Sequence, residues 1–391
     1  MHIITLSELQ FKNYSTLHSK RNYKQSVEYA KLKMMNGYTP LFLGLIDEMN
    51  NVHAATLILE KKINNKHRYG YVPNGYLLDY YNLDLLKCFT TELKSYLKKL
   101  NYIYLRINPL INYQVYDSDF ILKENNSGII KEFEKLEYDF IPNTAKYKMV
   151  LKATNIKSTY QNFKRSLRRN INNCLKKGIT VYQGTEKDKQ DFLNLVENKE
   201  RYQNIMELFT SKSNQFEFYL AKIMPETYIN NYRYLIKKEQ INNERLNQKL
   251  KNPRIQKTKN LLERKMTSDH LLTTYNNELI AGTEILKKYP KGVIISGVGI
   301  IKNDREVTFI KESYTNEFKS IRSIPMIKWE IMKKLIMEGY SRFDLGTIFV
   351  AKNQITKTGY NGNIVEYTNS FDLVINELLY KFNGFSKKKP K

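Results

Sequence analysis

Hydrophobic and polar positions form short alternating blocks in the first half of the chain. Two apolar runs at 41–46 and 54–59 flank the polar stretch 47–51, and this pattern predicts a β-hairpin. Leucine and phenylalanine then recur at helical spacing between 85 and 100, which predicts an amphipathic helix. The apolar residues of 102–107 follow and predict a strand.

The second half repeats this order of hairpin, helix and strand. Short apolar runs predict strands at 271–275, 279–281 and 293–295, with a turn at Asn276-Asn277. A stripe at helical spacing predicts the following helix, and its members are Met326, Trp329, Met332, Leu335 and Ile336. The run 342–345 predicts the closing strand.

The repeated order is typical of a diverged internal duplication of one α/β unit. The alternative is that two α/β domains share this order by chance. We predict the α/β (α+β) class, with a first domain over residues 1–150 and a second over residues 151–391.

The stretch 236–268 departs from this pattern because it is highly charged and its apolar positions are sparse. These positions form two helical stripes separated by Asn252-Pro253, and proline cannot continue the first helix. We predict two antiparallel helices that form a short projecting arm within the second domain. The alternative is an ordinary surface helical insertion that need not contact a partner.

Composition excludes several classes of protein. Charged residues at 26 % beside 41 % hydrophobic and 13 % aromatic residues exclude a disordered or fibrous chain. The two cysteines, Cys88 and Cys174, provide neither a disulfide framework nor a CxxC zinc pair, so we do not expect catalysis by zinc. We predict neither a metal nor a cofactor. There is no signal-peptide pattern, and no apolar run approaches the ~18 residues of a membrane helix. We therefore expect a cytoplasmic protein, with peripheral contact at the inner face of the membrane left open.

The net charge of +25 would attract a polyanion, unless AT-rich coding has simply placed lysines on solvated faces. The strongest basic cluster holds Arg165, Arg168 and Arg169 beside an apolar stripe formed by Phe163, Leu167, Ile171 and Leu175. This pattern predicts an amphipathic helix whose arginines dock phosphates, with a solvated helix face as the alternative.

Motifs for nucleophilic, nucleotide or dinucleotide chemistry are absent from the sequence. The five histidines stand in no arrangement with serine or cysteine, and there is no Gly-x-Ser-x-Gly elbow. Neither phosphate-binding glycine motif occurs, and Ser296-Gly297-Val298-Gly299 is too short a match. Elimination leaves catalysis by positioning, in which lysine or arginine stabilises developing charge.

Several segments in the last quarter of the chain resemble the Fem family of peptidoglycan bridge aminoacyltransferases. They are 313–319, 327–332, 339–346, 357–362 and 365–367. Segments further up resemble landmarks of the family's first domain and the entry to its second, namely 26–33, 36–38, 71–75, 105–109 and 168–179. The resemblance covers nearly the whole chain, and the shared order of the segments is more specific than any one of them.

The resemblance implies two tandem GNAT-like domains, a helical arm as in some members, and transfer of an amino acid from aminoacyl-tRNA to a cell-wall precursor peptide. The pyrophosphate loop of true acetyltransferases, Arg/Gln-x-x-Gly-x-Gly/Ala, does not occur in this sequence, which favours a donor other than acetyl-CoA. Aminoacyl-tRNA as a partner would also account for the positive charge.

The resemblance also implies roles for individual residues. The position of Lys33 resembles that of a family residue that contacts the precursor's phosphates. Lys212 and Phe216 occupy positions where the family often has arginine and tyrosine near the same substrate. Lys357 resembles the lysine that stabilises the transition state and the tRNA end, and Tyr360 belongs to the same motif and is grouped with the substrate-binding residues. The alternatives are solvated lysines and, for Phe216, a core aromatic residue.

Asn108 departs from the family pattern, which commonly has Ile-Asp-Pro where this chain has Ile107-Asn108-Pro109. A carboxylate general base is therefore not available at this position, although an amide can still position an amine by hydrogen bonding. Either the base is dispensable or the chemistry has changed, and a plain turn residue before proline is the structural alternative.

The resemblance thus predicts an enzyme that transfers glycine, alanine or serine from aminoacyl-tRNA to the stem or bridge peptide of a lipid-linked or UDP-linked muropeptide. Two alternatives remain open. One is a non-catalytic protein of the same fold that binds tRNA or a membrane surface, and the other is an acyltransferase with a different donor.

Overall fold

Two β-sheets, joined by exchanged strands, organise the chain. The computed structural model describes residues 1–142, 147–252, 258–303, 306–348 and 358–382. The strands are β1 (His2–Thr5), β2 (Thr39–Ile46), β3 (Val52–Lys62), β4 (Arg68–Pro73), β5 (Tyr102–Asn108), β6 (Asn112–Tyr116), β7 (Leu122–Asn125), β8 (Tyr138–Ile141), β9 (Tyr147–Lys152), β10 (Ile179–Gln183), β11 (Thr210–Ser211), β12 (Asn214–Ile223), β13 (Val293–Lys302), β14 (Val307–Tyr314), β15 (Arg342–Ile348), β16 (Asn363–Tyr367) and β17 (Ser370–Val374).

Helices cover the sheets and connect their strands. They are α1 (Glu8–Leu17), α2 (Val27–Met34), α3 (Leu83–Lys99), α4 (Ile129–Lys135), α5 (Ile156–Asn162), α6 (Arg165–Lys176), α7 (Lys189–Leu195), α8 (Lys199–Leu208), α9 (Pro225–Lys251), α10 (Lys259–Lys288), α11 (Ile324–Met337) and α12 (Glu377–Phe382). Short 3₁₀ turns lie at Glu186–Asp188, Asn316–Ile321 and Thr358–Tyr360. In the described ranges, none of the helices combines the length and apolar character needed to span a bilayer.

The elements predicted for the first half are confirmed. Strands β2 and β3 pair antiparallel around the turn that follows Ile46. In this turn the Asp47 carboxylate accepts hydrogen bonds from the backbone N–H groups of Met49 and Asn51, both at 2.9 Å. Helix α3 buries its predicted stripe, and β5 lies parallel to β4, as expected when a helix connects two neighbouring strands.

The same connection is present in the second half. Strands β12, β13 and β14 form an antiparallel meander, α11 follows, and β15 returns parallel to β14. This sequence of elements matches β2, β3, β4, α3 and β5 of the first half. The repeated order of the two halves is therefore a property of the fold.

The strand, turn and strand predicted over 271–281 is wrong, because this segment lies inside helix α10. The asparagines that signal a turn are accommodated in the helix, where the Asn276 amide donates to the carbonyl of Leu272 at 2.9 Å. Packing against α9 outweighs the local preference, as between the rings of Tyr232 and Tyr275, whose centroids are 5.9 Å apart. The strand that precedes β13 in the sheet is β12, on the other side of the arm.

The predicted arm is present as the antiparallel pair α9 and α10, with bounds wider than the predicted 236–268. Its helices share a buried polar contact, in which the Asn243 amide donates to Ser268 Oγ at 3.0 Å and to Asp269 at 2.8 Å. A buried polar pair of this kind fixes the register of two packed helices.

Each sheet takes strands from both halves of the chain. The first sheet has the order β1-β2-β3-β4-β5-β17-β8, and the second has the order β10-β12-β13-β14-β15-β9-β16-β6-β7, with β11 paired to β12. The predicted boundary at residue 150 falls inside β9, and the division into two sequential domains stays a prediction. Strand β17, from the end of the described chain, pairs in the first sheet, and β6, from the first half, pairs in the second sheet. The two sheets are therefore linked through strands from both halves.

Candidate functional site

A cavity of ≈ 360 Å³ opens between the two halves of the molecule. One wall comes from α2 and the loop before it, with Tyr23 and Tyr29, and the other comes from α8 and from strands of the second sheet. The α2 wall is held in place because Ser26 Oγ caps the helix by accepting from the Tyr29 N–H at 3.1 Å. Buried Gln25 adds a second anchor, since its amide donates to the Pro73 carbonyl at 2.9 Å.

Three cationic side chains converge at one edge of this cavity. Lys33 Nζ lies 5.4 Å from the centre of the Tyr29 ring, and Lys61 Nζ lies 4.5 Å from the centre of the Tyr38 ring. Partial burial, together with the positive charges of Arg201 and Lys61, lowers the pKa of Lys33. Among the described residues none of the three cations forms an ion pair, so the cluster formed by Lys33, Lys61 and Arg201 favours an anionic ligand.

Lys212 and Phe216 lie near α2, but the structure records no contact between them and Lys33. The turn after β11 is tied to α2 because Ser211 Oγ donates to Glu28 at 2.9 Å, and Lys212 itself is exposed on that turn. The Phe216 ring is half-buried and packs against Phe218, with ring centroids 6.4 Å apart. This packing agrees with the alternative that Phe216 is a core aromatic residue. The substrate role of Lys212 and Phe216 stays a prediction.

Both ends of the Asn108 amide are hydrogen-bonded. The nitrogen donates to the Tyr71 hydroxyl at 3.1 Å, and the oxygen accepts from Ser370 Oγ at 2.7 Å. Burial is the main cause of the raised pKa of Tyr71, which keeps that hydroxyl protonated at neutral pH. Asn108 is therefore a fixed, neutral hydrogen-bonding group at the end of β5.

A buried ion pair lies on the wall that the second sheet contributes. Lys148 Nζ is 2.5 Å from Asp344, whose second oxygen accepts from the Gly346 N–H at 2.9 Å. Burial opposes the charge of Lys148, but Asp344 outweighs it and the pKa of Lys148 is raised. Burial also raises the pKa of Tyr23, which faces this pair, to about 12.

A second buried cation lies behind the same wall. Lys328 is almost fully buried, pairs with Glu312 at 2.5 Å and donates to the Leu345 carbonyl at 3.1 Å. Tyr360 is buried beside it, with its ring centre 5.9 Å from Lys328 Nζ. Within the described part of the chain its hydroxyl has no hydrogen-bond partner, and burial raises its pKa strongly. Lys357, the predicted catalytic residue, lies outside the described residues.

The predicted basic helix is confirmed as α6. Arg165 and Arg169 are exposed and Arg168 is half-buried, so all three lie off the buried face. The predicted stripe is wrong at one position, because Leu175 is half exposed and Cys174 is buried instead. Successive residues of an α-helix are rotated by 100°, so the positions three and four residues after Ile171 both lie on its side of the helix. At the end of α6 the buried one is Cys174.

The start of α6 is tied to the segment that follows Lys357 in sequence. The Lys164 N–H donates to the Gly359 carbonyl at 2.8 Å, and the Asn361 amide donates to the Asn162 carbonyl at 2.6 Å. The rings of Phe163 and Tyr360 pack edge to face at 5.3 Å. The arginines of α6 and the motif around Tyr360 are thereby brought to the same region, which sequence spacing does not show.

Sequence reasoning missed several charged residues at the cavity, among them Lys61, Arg201 and Lys148. Arg201 has no motif of its own and joins the site only because α8 packs on α2. Lys148 also carried no signal, whereas Asp344 and Glu312 lay within or beside the segments that carry the family resemblance.

The fold and the cavity define a two-sheet α/β protein with a cationic cleft between its halves. Residues 6–388 match the model of the FemAB family, and the chain belongs to this family. The predicted family resemblance is confirmed.

Individual relatives agree with this assignment. The chain is 23 % identical to aminoacyltransferase FemA of Staphylococcus epidermidis, covering 99 % of both chains. It is 24 % identical to aminoacyltransferase FemA of Staphylococcus aureus (strain bovine RF122 / ET3-1), covering 97 % of both. The crystal structure of FemX superposes with a TM-score of 0.71 at 16 % identity, over 98 % of this chain and 99 % of that one. The predicted α/β fold class and the predicted class of enzyme, an aminoacyltransferase, are in agreement with these relatives.

Proposed function

We propose that the protein is an aminoacyltransferase that moves an amino acid from aminoacyl-tRNA to a peptide amine of a peptidoglycan precursor. The observation that carries the proposal is the cluster of Lys33, Lys61 and Arg201 beside the cavity, three cations that form no ion pair among the described residues. A precursor of this class presents a diphosphate, for which clustered lysine and arginine side chains are the usual ligands.

The proposed reaction is an ester aminolysis. The lone pair of the acceptor amine attacks the ester carbonyl carbon, and a tetrahedral oxyanion forms. The bond from this carbon to the ribose oxygen of the tRNA then breaks, an amide forms, and the proton lost by the amine ends on the ribose oxygen. No covalent enzyme intermediate is required, so the protein contributes orientation and charge stabilisation.

Each predicted residue receives a role in this proposal. Lys33 and Arg201 hold the diphosphate, with Lys61 adding charge, while Lys212 and Phe216 extend the substrate surface from the β11 turn. Asn108 orients the acceptor amine through its fixed amide.

The donor side of the site rests on the second sheet. Family resemblance supports Lys357 as the group that stabilises the oxyanion, and Tyr360 of the same motif packs against Phe163 at the start of α6. Arg165, Arg168 and Arg169 would contact tRNA phosphates, since they lie off the buried face of α6 and start beside that motif.

One observation favours a second candidate, a protein of this fold that binds tRNA or a membrane surface without transfer. The position of a carboxylate base is taken by Asn108, and both ends of its amide are occupied. An amide in this arrangement cannot accept the proton of an amine.

Transfer of radiolabelled glycine, serine or alanine from charged tRNA to lipid-linked and nucleotide-linked precursors tests the proposal, with ribonuclease as control. We expect ribonuclease-sensitive label on one precursor. Lys33→Ala and Arg201→Ala should reduce the label strongly. Lys31→Ala is the matched control, because Lys31 lies on the same helix and is paired with Glu8 at 3.1 Å. Folded wild-type protein that binds tRNA but labels neither precursor would support the non-catalytic candidate.

A further inference from the structure

Glu312 presents a carboxylate to the cavity between the two halves of the molecule. Among the described residues, the carboxylates that line this cavity are Asp344 and Glu312. The side chain of Asp344 is 9 % exposed and is paired with Lys148, whereas the side chain of Glu312 is 31 % exposed. Glu312 is therefore the carboxylate that a ligand in the cavity can reach.

A buried lysine holds Glu312 in this position. The Lys328 ammonium pairs with Glu312 at 2.5 Å, and the lysine side chain is 2 % exposed. Lys328 also donates to the Leu345 carbonyl at 3.1 Å, and its ammonium lies 5.2 Å from the centre of the Phe309 ring. An apolar pair of similar volume would often stabilise a fold equally well, so stability alone does not account for these two charges.

The charges around Glu312 restrict what it can bind. Lys24, Lys148, Lys311 and Arg201 line the same cavity. In such surroundings a positively charged group of a ligand is favoured where a carboxylate offsets the repulsion of the cations. An ammonium also donates a charge-assisted hydrogen bond to a carboxylate. Glu312 is therefore suited to an ammonium group of a ligand whose other parts are held by the cations.

Glu312 lies on the donor side of the proposed site. Its partner Lys328 is 5.9 Å from the centre of the Tyr360 ring. Burial, with a smaller contribution from the negative charge of Glu312, raises the pKa of the Tyr360 hydroxyl, so the two side chains lie close enough to interact. Tyr360 belongs to the motif that the proposed function gives to the end of the aminoacyl-tRNA. An aminoacyl ester carries an α-ammonium, which the α-carbon links directly to the ester carbonyl.

We propose that Glu312, held by Lys328, binds the α-ammonium of the amino acid that the donor carries. This role of Glu312 rests on the proposed function. Contact with Glu312 fixes the direction of the neighbouring ester carbonyl. It also keeps the amino group protonated, so this group does not compete with the acceptor amine as a nucleophile. A tRNA without an amino acid, or one whose amino acid is N-acylated, lacks this contact.

Binding of three RNA probes to the full chain tests the role of Glu312. The probes are uncharged tRNA, tRNA that carries glycine through an amide in place of the ester, and the same glycyl-tRNA after N-acetylation. The amide prevents hydrolysis and transfer, and glycine presents the α-ammonium without a side chain. We expect the wild type to bind the glycyl probe about tenfold or more tightly than the N-acetylglycyl probe, because acetylation removes a charge-assisted hydrogen bond.

Two variants separate the carboxylate from its contribution to folding. Glu312→Gln alone leaves a buried ammonium without its carboxylate, so the test uses Glu312→Gln/Lys328→Met, which replaces both charges and should fold. This variant should bind the glycyl and N-acetylglycyl probes equally. Lys328→Met is the matched control, because it loses the same ammonium but retains the carboxylate, and it should keep the preference for the glycyl probe. Chemical denaturation shows whether both variants are folded.

The result that would overturn the role of Glu312 differs from the one that would reject the proposed function. Equal binding of the glycyl and N-acetylglycyl probes by the wild type, or the wild-type preference in Glu312→Gln/Lys328→Met, would reject the role of Glu312 alone. Loss of the preference in Lys328→Met would do the same, because the carboxylate is still present there. If the wild type binds none of the three probes, the proposed function is rejected, and the role of Glu312 with it.

Discussion

Ser370 Oγ donates a hydrogen bond of 2.7 Å to the Asn108 side chain across a sequence separation of 262 residues. Asn108 ends β5, and Ser370 begins β17, the late strand that pairs with β5 in the first sheet. The position and orientation of the Asn108 side chain therefore depend on a strand from the far end of the described chain.

Removal of the Ser370 hydroxyl should loosen Asn108. Ser370→Ala leaves the Asn108 oxygen without this donor, and we expect the free energy of unfolding to fall by about 1–2 kcal/mol. Urea denaturation measures the change. Ser95→Ala, at an exposed position of α3, is the control and should change stability by less than about 0.5 kcal/mol. An equal effect of both substitutions would contradict the role of this hydrogen bond.

Asn108→Asp tests whether the missing carboxylate limits the reaction. The Tyr71 and Ser370 hydroxyls can both donate to a carboxylate, so the variant should fold. We expect the transfer rate to rise by less than about tenfold, well short of the 10²–10⁴ of a general base. A larger increase, with an acid limb on the pH profile, would show that the natural chain lacks a needed base.

If the cation cluster binds the precursor as proposed, precursor recognition should be sensitive to alkaline pH. Partial burial, with smaller contributions from Arg201 and Lys61, lowers the pKa of Lys33, so Lys33 loses its proton at a lower pH than an ordinary lysine. The ratio kcat/KM for the precursor should therefore fall as pH rises through this lowered pKa. Because Arg201 is one cause of the shift, Arg201→Gln should move the alkaline limb to higher pH while raising KM at neutral pH. A limb that stays in place would exclude Lys33 as its origin.

The arginines of α6 should contribute salt-dependent tRNA binding. Arg165→Gln/Arg169→Gln removes two exposed charges beside the Tyr360 motif, and the slope of log K against log salt should become shallower by about 1.4–1.8. Filter binding at several salt concentrations gives this slope. Lys98→Gln/Lys99→Gln on α3 is the control with equal charge change. The same slope in both variants would indicate a general effect of net charge.

The pair Lys328 and Glu312 should respond unequally to substitution. Glu312→Gln leaves the ammonium of a lysine that is 2 % exposed without its carboxylate, which should destabilise the fold by about 2–3 kcal/mol. Lys328→Met leaves a carboxylate that is 31 % exposed and can be hydrated, so its cost should be smaller. Chemical denaturation of both variants checks this order, and the reverse order would contradict the burial of Lys328.

Elements whose pattern is local could be predicted. The β2 and β3 hairpin, α3, β5, α6 and α11 follow from apolar periodicity and turn residues within short windows. Segment 271–281 could not, because its apolar residues and two asparagines suit a strand and turn as well as a helix. Contact with α9 favours the helix for this segment, and the residues of α9 that make the contact lie far from it in the sequence.

The candidate residues of the site divide in the same way, into those that a local sequence pattern indicates and those that it does not. Lys33, Asn108 and the α6 arginines could be selected from motifs in the sequence, because their family segments are contiguous. Arg201 and Lys148 could not, because they come from α8 and β9 and meet the cavity only through packing of the two halves. Leu175 was misplaced for a related reason, since the buried face of α6 ends on Cys174 where it meets the Ile321 carbonyl.

The sequence by itself determined the α/β class, the order of elements in each half, the helical arm and the positive charge. These are set by residue type and periodicity, which act over one or two turns of helix or strand. Tertiary structure alone decided the exchange of β17 and β6 between sheets, the approach of Arg201 to Lys33, and the packing of α12 against β5. Each of these depends on pairing and burial between residues far apart in the chain, where backbone hydrogen bonds and buried charges must be satisfied together.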